Sequence, residues 1–140
     1  MSPRYILDTD HMSLYQRRHP RVVAQILATA PAELAATIIT VDEQMQGRLT
    51  VIRQARSQSE AARGYVRLRE TLEFYQSIQL VDYTADAVAY FEALRRQGIR
   101  IGTQDLRIAA IVLAQGAILV SRNSRDFAQV PGLALEDWTI

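Results

Sequence analysis

Four acidic residues, Asp8, Glu43, Asp105 and Asp126, occupy places from which carboxylates act together. Asp8 directly follows the apolar run Tyr5-Ile6-Leu7, at the carboxyl end of a predicted strand. Glu43 falls in the first turn of a predicted helix after a second strand. Asp105 falls in the first turn of a strongly apolar helix, and Asp126 in a short turn after a later strand. Open α/β sheets bind ligands outside the carboxyl ends of their strands, so these four positions can meet on one edge. Crowded carboxylates repel and raise one another's pKa. A hard dication relieves that repulsion, and an oxygen-only set suits Mg²⁺ or Mn²⁺. Such an ion activates water and stabilises a phosphoryl leaving oxygen, so the expected reaction is phosphodiester hydrolysis without a covalent intermediate.

Composition narrows the alternatives. The 140 residues contain no cysteine, which removes disulfides, thiolate-zinc sites, Fe–S clusters and thiol catalysis. Two histidines, His11 and His19, are too few for a His-rich zinc site. All 16 basic residues are arginine, so lysine-dependent chemistry is excluded. The net charge of +1 gives no general case for a polyanionic partner. No apolar run reaches the roughly 18–20 residues a membrane helix requires, and a cytoplasmic location is expected.

The elements that would position the acids follow from pattern. Residues 4–8 read as a short strand, 10–18 as a helix, and Pro20 as the first residue of a second helix. Residues 34–39 form a β-branched apolar strand. Thr40 reads as the N-cap of a helix to about Arg56, paired in an antiparallel hairpin with a longer helix. On that second helix Ala61, Tyr65, Leu68, Leu72 and Tyr75 make one stripe, read as core, and Gly64 lowers its stability. A third strand covers 79–83. Thr84 caps a helix to Gln97, with Val88, Phe91 and Leu94 inward. Thr103 caps the buried helix 104–115, closed by Gly116. Residues 117–120 form a fourth strand, 123–128 a helical turn, and 133–135 an edge strand. Alternating strands and helices imply a single α/β domain over residues 1–140, with a parallel sheet covered on both faces.

Structural roles compete with chemical ones at each acid. Thr40 to Glu43 spells a capping box, Asp105 favours a positive helix end, and Asn123 to Asp126 is another capping pattern. Asp8 has no cap to make unless it begins the next helix. Asp10 and Asp42 stand close enough to compete with Asp8 and Glu43. His11 reads as a general base or as polar helix surface.

The motifs together resemble the PIN-domain ribonucleases, in particular the VapC-like toxins of type II toxin–antitoxin systems. The resemblance rests on Leu7-Asp8-Thr9-Asp10, on Glu43 followed by Gly47, and on Asp105 followed by Ile108-Ala109-Ala110. Leu119 to Phe127 and the tail Val130-Pro131-Gly132-Leu133 with Glu136-Asp137-Trp138 complete it, in the family's order, over essentially the whole chain. It implies a five-stranded parallel sheet and a pocket that binds Mg²⁺ or Mn²⁺ through Asp8, Glu43, Asp105 and Asp126. Asn123, Thr9 and Ser121 would assist. It further implies cleavage of RNA, often tRNA or rRNA, leaving a 5′-phosphate, silencing by a small antitoxin, and a homodimer. Arg107, Arg122 and Arg125 lie near the last two motifs and are the expected phosphate contacts. Asp10 for asparagine, Ser121 for threonine, and Gln44 for an apolar residue depart mildly from the pattern; none removes a carboxylate. Two rival readings are a non-catalytic PIN-like binding module and a phosphatase using Asp8-Thr9-Asp10 as its DxD motif. The absence of lysine weighs against the phosphatase.

Overall fold

The computed structural model describes residues 2–140. Its five short strands are β1 (Tyr5–Leu7), β2 (Leu34–Thr37), β3 (Leu80–Val81), β4 (Ile118–Val120) and β5 (Ala134–Glu136). They pair in the order β3-β2-β1-β4-β5, every pair parallel. Seven α-helices connect them: α1 (Thr9–Gln16), α2 (Pro20–Leu27), α3 (Ile38–Arg53), α4 (Gln58–Gln76), α5 (Ala85–Arg96), α6 (Thr103–Gln115) and α7 (Ser124–Phe127).

Neighbouring strand residues feed opposite faces, as a period of two requires. Ile6, Ala35 and Leu119 pack with α5 and α6 residues such as Phe91, Leu94, Ile108 and Ile111. Their neighbours Leu7, Ala36 and Val120 pack on the other side with Met12, Val22, Ile26 and Tyr75 of α1, α2 and α4. Two buried layers therefore clamp the sheet, the arrangement parallel strands demand. Helix α6 is buried along most of its length and ends at Gly116, whose φ of 63° supplies the left-handed cap.

Several boundaries differ from the pattern reading. Helix α3 begins at Ile38, two residues before Thr40, because Thr37 is the cap: its Oγ1 accepts from the Thr40 N–H at 3.2 Å. Helix α3 ends at Arg53, short of Arg56. Thr103 does not cap α6; Gly102 holds that position without a side-chain bond. On α4 the expected core stripe is split. Tyr75 is buried, but Tyr65 and Leu72 are 60% and 52% exposed. What α4 turns inward instead is Gly64, Thr71 and Tyr75. Gly64 has a packing reason: a Cβ there would lie 2.7 Å from Ile52 Cγ1, so its absence sets how closely α4 approaches α3. On α5, Ala87 is buried and Val88 partly exposed, while Phe91 and Leu94 face inward as expected.

Candidate metal centre

The chain runs from β1 to β2 and β3 in one direction, and β4 and β5 lie on the other side of β1. The strand order thus reverses at β1/β4, the place where doubly wound sheets bind ligands. A cleft of about 640 Å³ opens there, and Asp8, Glu43 and Asp105 line it. Thr9, Asp10 and Ser13 of α1 form one wall, and Arg122 and Asn123 after β4 form another. Asp126 is not itself in the lining, but it is bonded to Asn123, which is. The Asp126 charge still reaches Asp105.

Each carboxylate is held by local structure. Asp8 begins α1 after all, and so has the capping role that its strand-end position seemed to lack. Its Oδ1 accepts from the His11 N–H at 2.8 Å, and its side chain is nearly buried. Glu43 is the sixth residue of α3, in the second turn rather than the first, and closes no capping box. Thr9 Oγ1 donates to Glu43 Oε1 at 2.7 Å. That spends the only Thr9 hydroxyl proton, so the 3.0 Å contact between Thr9 and Thr40 hydroxyls has Thr40 as donor. A relay from buried Thr40 through Thr9 thereby aims Glu43. Asp126 accepts from Asn123 Nδ2 at 3.1 Å, while Asn123 Oδ1 caps α7 by accepting from the Asp126 N–H at 3.4 Å. Buried Ser121 secures that turn, its Oγ accepting from the Asn123 N–H at 3.0 Å.

Electrostatics tie the four acids together. Burial, then the charges of Glu43, Asp8 and Asp126, push the Asp105 carboxyl up to about 6. The largest cause is desolvation, but three like charges from three other segments add to it.

Asp8, Asp10 and His11 each place a potential ligand atom within 4.8 Å of the others, and among the described residues no trio drawn from Asp8, Glu43, Asp105 and Asp126 is as tight. Hydrogen bonding decides against the tighter trio as a ligand set. His11 is fully buried, neither a surface residue nor an accessible base. Its Nε2 accepts from the Trp138 N–H at 3.3 Å, which assigns the ring proton to Nδ1. Nδ1 then carries the proton and has no lone pair for a metal; it lies 3.3 Å from Asp8 Oδ1 but makes no hydrogen bond. Asp10 is already engaged, accepting from Arg122 Nε at 2.6 Å and Nη2 at 3.2 Å. Asp8, Glu43 and Asp105 therefore remain as the free oxygen donors in the cleft. Their looser spacing fits a hard dication that keeps several waters.

The remaining predicted residues are placed as follows. Arg122 is spent on Asp10, and Asp10 holds its guanidinium charged. Arg107 Nη1 donates to Gln104 Oε1, and Gln104 Nε2 donates to Asp42 Oδ2; Asp42 is not among the residues that line the cleft. Arg125 is exposed on α7. Sequence reasoning missed Gln44. It is buried beside Glu43 and joins three elements: it donates to Ser13 Oγ, and its Oε1 accepts from Tyr75 Oη at 2.6 Å and from Gln16 Nε2 at 2.9 Å. The signal was its polarity at a position where an apolar residue is usual.

A parallel sheet with an acidic cleft at its switch point, furnished only with oxygen donors, defines a metal-dependent hydrolase type of site. The comparisons with known proteins agree. The PIN domain family model matches residues 5–133, and the chain belongs to that family. Ribonuclease VapC2 of Haemophilus influenzae is 29% identical over 139 residues, spanning 96% of this chain and 98% of that protein. Other curated relatives match over about half their length. Among them, the tRNA(fMet)-specific endonuclease VapC of Shigella flexneri is 37% identical over 70 residues, 47% of this chain and 53% of that one. The crystal structure of DNA-bound VapBC from Salmonella typhimurium superposes with a TM-score of 0.76 at 20% identity, covering 97% of this chain and 98% of that chain. No helix among the described residues is long and apolar enough to cross a membrane.

Proposed function

We propose that this chain is an endoribonuclease dependent on Mg²⁺ or Mn²⁺, acting as the toxin of a toxin–antitoxin pair. The observation that carries this reading is the convergence of Asp8, Glu43 and Asp105, from three separate segments, on one cleft at the strand-order switch point, where burial and the neighbouring acids push the Asp105 carboxyl up. Unbalanced negative charge of this kind is what a hard dication neutralises. Membership of the PIN family and the end-to-end likeness to a ribonuclease support it.

Asp8, Glu43 and Asp105 would hold the ion, with Asp126 adding charge from behind. A bound divalent ion supplies activation of water and charge neutralisation at the scissile phosphodiester. The chain's own residues do the rest. The His11 backbone N–H fixes Asp8, the Thr40–Thr9 relay orients Glu43, and Asn123 with Ser121 positions Asp126. The substrate is RNA inside the cell, with tRNA the first class to test, and cleavage leaves a 5′-phosphate. The partner is a small antitoxin, and the chain forms a homodimer; exposed Tyr65, Val66 and Leu72 on α4 give such partners apolar surface.

The test is cleavage of total RNA with end mapping. Wild type with Mg²⁺ is expected to cut at defined sites, and excess EDTA to stop it. Asp8→Asn and Asp105→Asn should each lower the rate by at least about 100-fold with the fold intact by circular dichroism. Full activity in both variants, or cleavage unchanged in EDTA, contradicts the proposal.

A further inference from the structure

A second, larger groove of about 930 Å³ adjoins the cleft, and Ser13 lines both. Its charge is opposite. Arg17, Arg18, Arg48 and Arg67 line it against a single acid, Glu70. Among the described residues, none of these arginines is in an ion pair. They come from the end of α1, from α3 and from α4, so the fold itself brings like charges together.

Two details fix the groove's arginines in place. Arg18 closes α1 in the left-handed conformation (φ 61°), with its N–H bonded to the Tyr15 carbonyl and the His19 N–H to the Leu14 carbonyl, so the helix end itself sets its place in the groove lining. Arg48 is oriented in advance: its Nε donates to Thr71 Oγ1 at 3.0 Å, and Thr71 is buried and bonded to the Arg67 carbonyl at 2.8 Å. Burial, then the charge of Arg67, lowers the pKa of Arg48, the mirror image of Asp105 in the cleft.

We propose that this groove grips the phosphate backbone of the RNA strand whose scissile bond lies in the acidic cleft. The inference rests on the nuclease reading above and deepens it. A cleft lined by Asp8, Asp10, Glu43 and Asp105 repels a polyanion, and the molecule's net charge of +1 offers no general attraction. An RNA substrate therefore needs local cations within reach of the cleft. Arg122, the cationic side chain lining the cleft, is taken by Asp10. The groove supplies four unpaired guanidinium groups, each able to fork onto a phosphate. Tyr15 and Phe74 lie in its wall with ring centroids 5.7 Å apart, and aromatic surface beside arginine suits single-stranded bases. Because the groove and the cleft meet at Ser13, a strand held in the groove can present its scissile bond to the acids, as the nuclease reading requires.

The experiment is fluorescence anisotropy of a labelled single-stranded RNA 12-mer with the full chain in excess EDTA, which silences the metal site and its cleavage. Wild type is expected to bind, with affinity falling as salt rises. Arg17→Ala/Arg67→Ala should weaken binding about 10-fold and reduce the magnitude of the salt slope by about 0.7 per arginine removed. Arg63→Ala, exposed on α4 outside the groove, should match wild type. If wild type cleaves RNA in Mg²⁺ but the double variant binds and cleaves equally well, the groove assignment fails and the nuclease reading stands. If a deca-glutamate peptide binds in a way that needs Arg17 and Arg67 while RNA does not, the groove takes an acidic protein segment instead. If wild type neither cleaves nor binds RNA, both readings fall.

Discussion

The acidic cleft and the arginine groove share a wall but differ in how their charges were brought together. The cleft gathers carboxylates at strand ends, where a parallel sheet points every crossover toward one edge. The groove gathers guanidinium groups from helix surfaces, which no sheet rule aligns. Both leave their charge unbalanced: Asp105 is raised by burial and by neighbouring acids, and Arg48 is lowered by burial and Arg67. Between them stands a hydrogen-bonded partition, Gln16 and Tyr75 bonding to Gln44, and Gln44 to Ser13. Burial pushes the Tyr75 phenol further up, so it stays a donor. Two opposite, unbalanced fields that meet at Ser13 each carry a cost in stability. Each gives up stability that a cation or a polyanion restores.

The comparison breaks first at Asp105. Its carboxyl titrates near 6 in the folded protein and near 3.8 when unfolded. The folded state therefore holds the extra proton between those values. The stability linked to this proton is full below about 3.8 and is lost as pH rises through about 6. Asp105→Asn should stabilise the metal-free protein at pH 7 by about 1–2 kcal/mol, a figure discounted because the group is partly exposed. The gain should vanish below pH 4. Urea denaturation across pH 4–8 measures it, and a destabilised variant at pH 7 would show that burial and neighbouring charge do not raise Asp105.

The groove predicts a smaller effect of the same kind. Arg67→Gln removes the charge that presses on Arg48 and should stabilise the chain by at most about 0.5 kcal/mol, since both side chains meet solvent. Thermal melts at low and high salt read this: the gain should shrink as salt screens the pair. A loss of stability at low salt would mean that Arg67 is structural.

The difference between the regions also explains what sequence could reveal. The parallel sheet, its two-faced burial and the acids after β1, β2 and β4 follow from local patterns, because strand period and strand end are local properties. Helix caps were less legible. Thr37 and Thr40 are both plausible caps three residues apart, and only the register of β2 chooses between them. The α4 stripe of Tyr65 and Leu72 had helical period but lacked a partner surface, while Gly64, read as a weakness, is the contact with Ile52. Arg17, Arg18, Arg48 and Arg67 share no spacing, so their convergence needs the docking of α1, α3 and α4. Of the expected phosphate contacts, Arg122 is paired with Asp10, while Arg107 gives one bond to Gln104 and is in no ion pair among the described residues.

Titration of Mn²⁺ into the metal-free protein at pH 7 by calorimetry tests the central claim most directly. Wild type should bind, Asp8→Asn and Asp105→Asn should each lose at least about 10-fold in affinity, and Arg67→Gln should bind as wild type does. Wild-type protein that takes up no Mn²⁺, or carboxylate variants that bind it undiminished, would contradict the account.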